Sequence, residues 1–205
     1  MYSTLPHFVL GFHGCDKQVC DKILNGKETL HVSSNIHDWL GNGSYFWEND
    51  PARALEYAKF IKDNPERCTS KINDPAVIGA VIDLGYCFNL LASKNLKILR
   101  QSYQLLCASF EAAKKPMPKN KEIGEEKELL FRPLDCAVIE FTHQINKDLG
   151  KDPYDSVRGV FLEGENLYLT AGFKDKNHIQ ICVRNPNCIK GYFLPRDPID
   201  GHRLP

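Results

Sequence analysis

The sequence predicts an α+β fold, and three observations carry that reading. Two runs, HFVLGFHG at residues 7–14 and VIGAVIDLG at 77–85, are apolar with the β-branched and aromatic content of buried strands. Helical stripes at period 3.6 lie elsewhere, as at Leu96, Leu99, Tyr103, Leu106 and Phe110. Strands and helices do not alternate regularly, which argues against a doubly wound parallel sheet. The 205 residues, 42% apolar, suit one domain with an ordinary core.

Each element has a local cause. After the first strand, Asp16 caps a short helix to Asn25, in which Val19 meets Ile23 and Cys20 meets Leu24 at i,i+4. Residues 27–44 read as a loop with extended pieces, followed by the aromatic strand Ser44-Tyr45-Phe46-Trp47. Asp50 before Pro51 is a cap residue followed by proline at the first helical position, so PARALEYAKFIKD is a helix with Leu55, Ala58 and Ile61 on one face. Ser93 is placed to cap the long helix, and KKPMPKNKEIGEEKE at 114–128 is an exposed charged loop inside a single domain spanning 1–205. Pro133 opens a helix whose stripe is Leu134, Val138, Phe141 and Ile145. DSVRGVFLEG at 155–164 and HIQICVR at 178–184 complete the strands, and the proline-rich tail from 181 reads as irregular.

Charge and cysteine usage exclude several classes. Lys plus Arg and Asp plus Glu each number 26, so the chain is neither a polybasic nucleic-acid arm nor an acidic tail. Its apolar content excludes disorder. The eight cysteines include no C-x-x-C pair, which argues against a zinc or redox site and for reduced cysteines used as small hydrophobes. The start of the chain lacks a charged region followed by an apolar run, and no stretch approaches a membrane span, so a cytoplasmic protein without membrane contact is expected. Phosphate-loop, Rossmann, serine-hydrolase and zinc-protease signatures are absent.

The informative motifs lie near the front. Phe12-His13-Gly14-Cys15 ends the first strand, and Gly41-Asn42-Gly43-Ser44-Tyr45-Phe46 follows about thirty residues later, with Tyr57 on the next helix. This pattern resembles the ADP-ribosyltransferase superfamily, in its diphtheria-toxin and poly(ADP-ribose) polymerase branch, named for a His-Tyr-Glu triad. The resemblance covers residues 8–26, 38–58 and, more weakly, 178–185. It implies two packed, mostly antiparallel sheets flanked by helices. It also implies NAD as co-substrate with no metal.

The resemblance further assigns tasks. Gly14 would grip the nicotinamide carboxamide through its backbone, His13 would bond a ribose hydroxyl, and Tyr45 and Tyr57 would stack on the two ring faces. The chemistry fits: breaking the nicotinamide–ribose bond leaves an oxocarbenium-like sugar, as in glycoside hydrolysis. The family's third catalytic position falls on the strand His178–Val183, where Gln180 stands in place of the glutamate. An amide keeps a hydrogen bond without the charge. Several relatives in this branch that lack the glutamate transfer a single ADP-ribose unit, so the resemblance implies single-unit transfer and not chain formation.

Glu163 and Glu165 form an E-G-E pair on the neighbouring strand end and are alternative acids; read from the residues alone, they are a solvated turn. They look superficially like the E-x-E pair of the arginine-modifying, cholera-toxin-like branch, which the His-Gly and Gly-x-Gly-x-Tyr-Phe matches argue against. The loop 165–177 would meet the acceptor through Tyr168 and Phe173. The implied acceptor is RNA, DNA or protein. A free-standing module of this kind resembles bacterial toxins and phage-defence effectors, for which an antitoxin partner is expected. NAD hydrolysis and a catalytically silent NAD- or ADP-ribose-binding module are the alternatives.

Overall fold

The structure, a computed structural model, describes residues 8–68, 70–122, 129–197 and 199–202. The start of the chain before Phe8 and residues 123–128 of the charged loop lie outside the described residues. The elements in chain order are β1 (Phe8–Asp16), α1 (Lys17–Leu24), β2 (Ser44–Glu48), α2 (Pro51–Asp63), β3 (Pro75–Asp83), β4 (Cys87–Asn89), α3 (Ser93–Ala112), α4 (Pro133–Asp148), β5 (Ser156–Phe161), β6 (His178–Val183) and β7 (Ile189–Phe193). The fold is α+β, as expected.

All seven strands join one sheet in the order β4-β5-β6-β2-β1-β3-β7. Only β4 and β5 run parallel; the other neighbours are antiparallel. The expectation of two packed sheets is therefore corrected to one continuous sheet. It has a narrow waist, because β1 and β2 pair only at Gly11 with Glu48 and Phe12 with Trp47. On either side of that waist the ladders are longer: β1 pairs with β3 from Phe8 to Asp16.

Helix placement follows from strand alternation. Cys15 and Val9 of β1 face the core that α1 covers through Cys20 and Ile23. Phe12, one pleat away, faces α2 together with Trp47 and Ala54. Farther along, Ile139 of α4 packs with Leu40, Val157, Cys182 and Phe88. Asp16 caps α1 by accepting from Gln18 N at 2.9 Å, and the same carboxylate accepts from Asn73 N at 2.7 Å and Asp74 N at 3.1 Å. Those three backbone donors hold the Asp16 carboxyl below the usual carboxylate range. Asp50 caps α2 through Arg53 N at 2.9 Å, with Pro51 first in the helix.

Tertiary packing overrides the sequence pattern in three places. α3 starts at Ser93 with Ala92 as a cap that makes no side-chain bond, so Ser93 is the first helical residue and not the cap. The buried line of α3 is Asn95, Ser102 and Leu106, with Leu99 against the core, while Leu96 and Tyr103 stay exposed. α4 likewise buries Cys136, Val138, Ile139, Thr142 and His143, so its inward face is rotated from the Leu134–Phe141–Ile145 stripe. The two helices pack on each other, and Asn95 Nδ2 donates to Asn89 O at 2.9 Å, which fixes the roll of α3. Third, the tail expected to be irregular contains β7, an edge strand on β3.

All eight cysteines are free, and Cys15, Cys20, Cys136, Cys182 and Cys188 are buried. Burial raises the Cys15 thiol to about 12 and Cys136 and Cys188 to about 11, so they pack as neutral hydrophobes. Among the described residues, no helix is long and apolar enough to cross a membrane.

Candidate functional site

The three motif segments, scattered between residues 8 and 185 of the sequence, contribute to the adjacent strands β1, β2 and β6. Past Phe12 the strands β1 and β2 part, and the His13 ring sits at the fork. Its Nδ1 lies 2.8 Å from the Tyr45 carbonyl oxygen. A carbonyl only accepts, so Nδ1 carries the proton and Nε2 is the lone-pair nitrogen of a neutral ring. Burial lowers the His13 pKa and keeps it neutral.

Gly14 and Tyr45 have structural duties in this arrangement. A Cβ on Gly14 would stand 2.1 Å from the Ala54 carbonyl oxygen, so only glycine lets α2 pack on β1 here. That face of Gly14 is closed by the helix. The Tyr45 hydroxyl donates to Gly41 O at 2.8 Å and accepts from Leu40 N at 3.0 Å, clamping the loop that precedes β2. Burial raises its pKa far above the ordinary phenol range. Gly41 takes φ 81°, where a Cβ would also collide with the Glu140 carboxylate. Glu140 in turn pairs with Arg184 and accepts from Asn42 N at 2.7 Å, so α4 holds the same loop from outside.

Alternation separates the expected pair. His13 packs edge-on to Phe46, with ring centroids 6.1 Å apart, whereas Tyr45 and Trp47 point to the other face. Tyr57 packs on Trp47 at 5.1 Å. Gln180 does share the Tyr45–Trp47 face. It is the register partner of Trp47, and its Oε1 accepts from Trp39 Nε1 at 2.7 Å. Trp39 lies beside Phe161 at 5.0 Å, with the Arg132 guanidinium over both rings.

Glu163 is near this group, paired with Arg53 of α2 at 2.8 Å. Glu165 is exposed, and its amide rather than its carboxylate is used, donating to Asp175 Oδ1 at 2.8 Å. Tyr168 and Phe173 stand exposed on a turn closed by Leu167 N donating to Phe173 O at 3.1 Å.

A further polar group lies beside Trp47. Its ring lies 6.0 Å from His178, which lies 5.3 Å from Phe161. His178 Nδ1 donates to Lys176 O at 2.7 Å, leaving Nε2 as a buried lone pair. Burial lowers the His178 pKa, and the Arg53 charge adds to that against the opposing pull of Glu163 and Asp50. His178 Nε2, Trp47 Nε1, Arg53 Nε and Asn177 Oδ1 are all buried without a hydrogen-bond partner. Each such atom costs about 1–3 kcal/mol, and folded proteins leave few of them.

Gln180, Tyr57 and Glu163 thus gather around Trp47 and His178, whereas His13 and Gly14 do not. Sequence reasoning missed Trp39, Trp47, Arg53 and His178 as site residues. Two of them carried a readable signal. Trp47 is two residues from Tyr45, and His178 two from Gln180, so period 2 puts each on the face of its neighbour. Nothing local announces the Arg53–Glu163 pair, which spans 110 residues.

No known protein family and no solved structure matches the chain. It is similar to a protein of Methanocaldococcus jannaschii described as uncharacterized protein MJ0359, 27% identical over an alignment spanning 87% of this chain and 83% of that one.

Proposed function

We propose that the chain is an NAD-dependent mono-ADP-ribosyltransferase that moves ADP-ribose to a macromolecular acceptor, nucleic acid or protein. The observation that supports this reading best is spatial. The His-Gly motif, the Gly-x-Gly-x-Tyr-Phe motif and the strand of the third position occupy neighbouring strands, with a waist in the sheet at the first two. Gln180 lies on the face that holds Tyr45 and Trp47.

In this reading the ribose 2′-hydroxyl donates to the Gln180 amide oxygen, taking the place of the Trp39 indole N–H. The bond from ribose C1′ to the nicotinamide nitrogen breaks, its electron pair leaves with the neutral ring, and the acceptor attacks C1′ and gives up its proton to water. The missing carboxylate removes charge stabilisation on the order of 3 kcal/mol, as for loss of one preorganised group. A slow, single-unit transferase follows, of the kind suited to a toxin or defence effector held in check by a protein partner.

The test is incubation with NAD labelled in the adenylate part, with separate RNA, DNA and protein pools. Label is expected in one macromolecular pool. Label confined to free ADP-ribose makes the chain an NAD glycohydrolase instead. Nicotinamide release at background with every pool present leaves a binding module, a reading favoured by the bond that already occupies the Gln180 amide oxygen.

A further inference from the structure

An aromatic stack stands at the β4 edge of the sheet, away from the motif strands β1, β2 and β6. Tyr154 stacks on Tyr86 at 4.5 Å and 21°, and on Phe88 at 4.7 Å and 30°. His143 meets Tyr154 edge-on at 5.7 Å. Phe88 and Tyr154 belong to the core, whereas Tyr86 is 54% exposed. The Tyr86 backbone is held on both sides: its N–H donates to Asp155 Oδ2 at 2.8 Å, and its carbonyl accepts from Asp155 N at 2.9 Å. Tyr86 is thus a fixed ring that shows part of its surface to solvent. With Gly150, Lys151 and Asp152 it lines an open cavity of about 350 Å³. That size suits a small ligand or one unit of a chain, since ligand pockets run from about 300 to 1,000 Å³. Gly150 takes φ 62° just past α4, and a Cβ there would meet nothing within 4 Å. Lys151 N donates to Asn146 O at 2.9 Å, so the end of α4 sets the position of the lysine. Among the described residues, the Lys151 and Asp152 side chains have no ion-pair or hydrogen-bond partner.

We infer that this cavity holds one base of a single-stranded nucleic acid, and guanine best. Each wall has a task. Tyr86 offers a flat ring for stacking, which every base accepts. The Asp152 carboxylate only accepts hydrogen bonds, and guanine presents two adjacent donors, its ring N–H and its amino group, on one edge. Lys151 supplies an ammonium for the phosphate. A basic peptide would meet Lys151 as a like charge, and an acidic one would meet Asp152, so a nucleotide is the class that uses all three side chains. The neutral charge of the chain agrees with recognition at one such place and not with a coating surface. Cys87, next to Tyr86, is in register with Ser156, Ser156 with Val183, and Val183 with Ser44. The cavity therefore lies at the end of the sheet where β1 and β2 part. β5 and β6 separate β4 from β2, about 14 Å at about 4.8 Å per strand. A few nucleotides span that distance, so the site names nucleic acid as the acceptor of the proposed transfer. Only that last step rests on the transferase reading.

The test is fluorescence anisotropy of labelled single-stranded RNA and DNA with the full chain, in the absence of NAD. Strands containing guanine are expected to bind about fivefold tighter than strands with adenine in its place, because adenine sets a ring acceptor beside its amino donor. Tyr86→Ala is expected to weaken binding about tenfold, the effect of one stacked base, and Tyr86→Phe to keep it. Asp152→Ala is expected to remove the preference for guanine. Lys151→Ala is expected to weaken all strands alike and to lower the salt slope by about one. The tighter of RNA and DNA identifies the strand. Strands that bind Tyr86→Ala as tightly as the unaltered chain, or bind neither, overturn the inference, as does a labelled lysine-rich peptide that binds in their place. Strand binding with no label transferred from NAD leaves the site and removes the transferase reading. Label transferred to RNA equally well by Tyr86→Ala removes the site and leaves the transferase.

Discussion

Gln180 and Gly14 show how differently two motif residues relate to the site. Gln180 sits beside Trp47 with its amide oxygen held by Trp39. If the chain is the transferase proposed above, Gln180→Glu puts a carboxylate beside the sugar as positive charge develops on it, and nicotinamide release from NAD is expected to rise at least tenfold. An unchanged rate would remove Gln180 from the third catalytic position. Gly14 is explained by packing, since its missing side chain is where the Ala54 carbonyl of α2 lies. Gly14→Ala is expected to cost about 2 kcal/mol, read as a lower urea midpoint at unchanged slope. The duty of Gly14 is not visible in the motif, because only the helix packed on it gives the reason.

α3 illustrates the limits of periodicity at the scale of an element. Its stripe of Leu96, Leu99, Tyr103, Leu106 and Phe110 is an amphipathic pattern, yet Leu96 and Tyr103 are 47% and 43% exposed. The helix is rolled so that Asn95 and Ser102 face inward with Leu106, because Asn95 bonds the Asn89 carbonyl and α4 supplies the partner surface. Leu106→Ala is therefore expected to destabilise by about 2–4 kcal/mol. Tyr103→Ser should stay within about 0.5 kcal/mol, as for an ordinary surface change. Equal losses in denaturant melts would restore the original stripe. The strands behaved differently: β1, β3, β5 and β6 fall within a few residues of their expected spans, because buried apolar runs bounded by polar residues are read locally.

For the molecule as a whole, acid sensitivity follows from three histidines that the fold keeps neutral. Burial lowers the pKa of His13, His143 and His178, the second to about 4, reinforced there by Arg184 and opposed by Glu140. An unfolded histidine titrates near 6.5, so below that pH the unfolded chain binds more protons than the folded one. Stability is thus full above about pH 6.5 and falls as the pH drops towards 4, with His143 alone contributing about 3 kcal/mol over that window. The Asp16 carboxylate, with its pKa lowered by backbone donors, adds a further loss only at more acid pH. Urea midpoints between pH 7 and 4 check this, and His143→Leu is expected to flatten the curve. A midpoint that is constant from pH 7 to 4 would exclude neutral burial of these rings.

The sequence by itself determined the α+β class, most strands, the Asp16 and Asp50 caps and the order of the motifs. Those features arise from side-chain alternation, backbone preferences and contacts within a few residues. Only the tertiary structure decided that the sheet is continuous through a narrow waist, that β4 joins β5 and β7 joins β3, and which faces of α3 and α4 turn inward. It also decided that His13 and Tyr45 point to opposite faces, and that Trp47 and Arg53 meet His178 from β2 and α2. Each of these depends on which distant segments meet, and burial and hydrogen-bond pairing across such distances have no counterpart in local spacing.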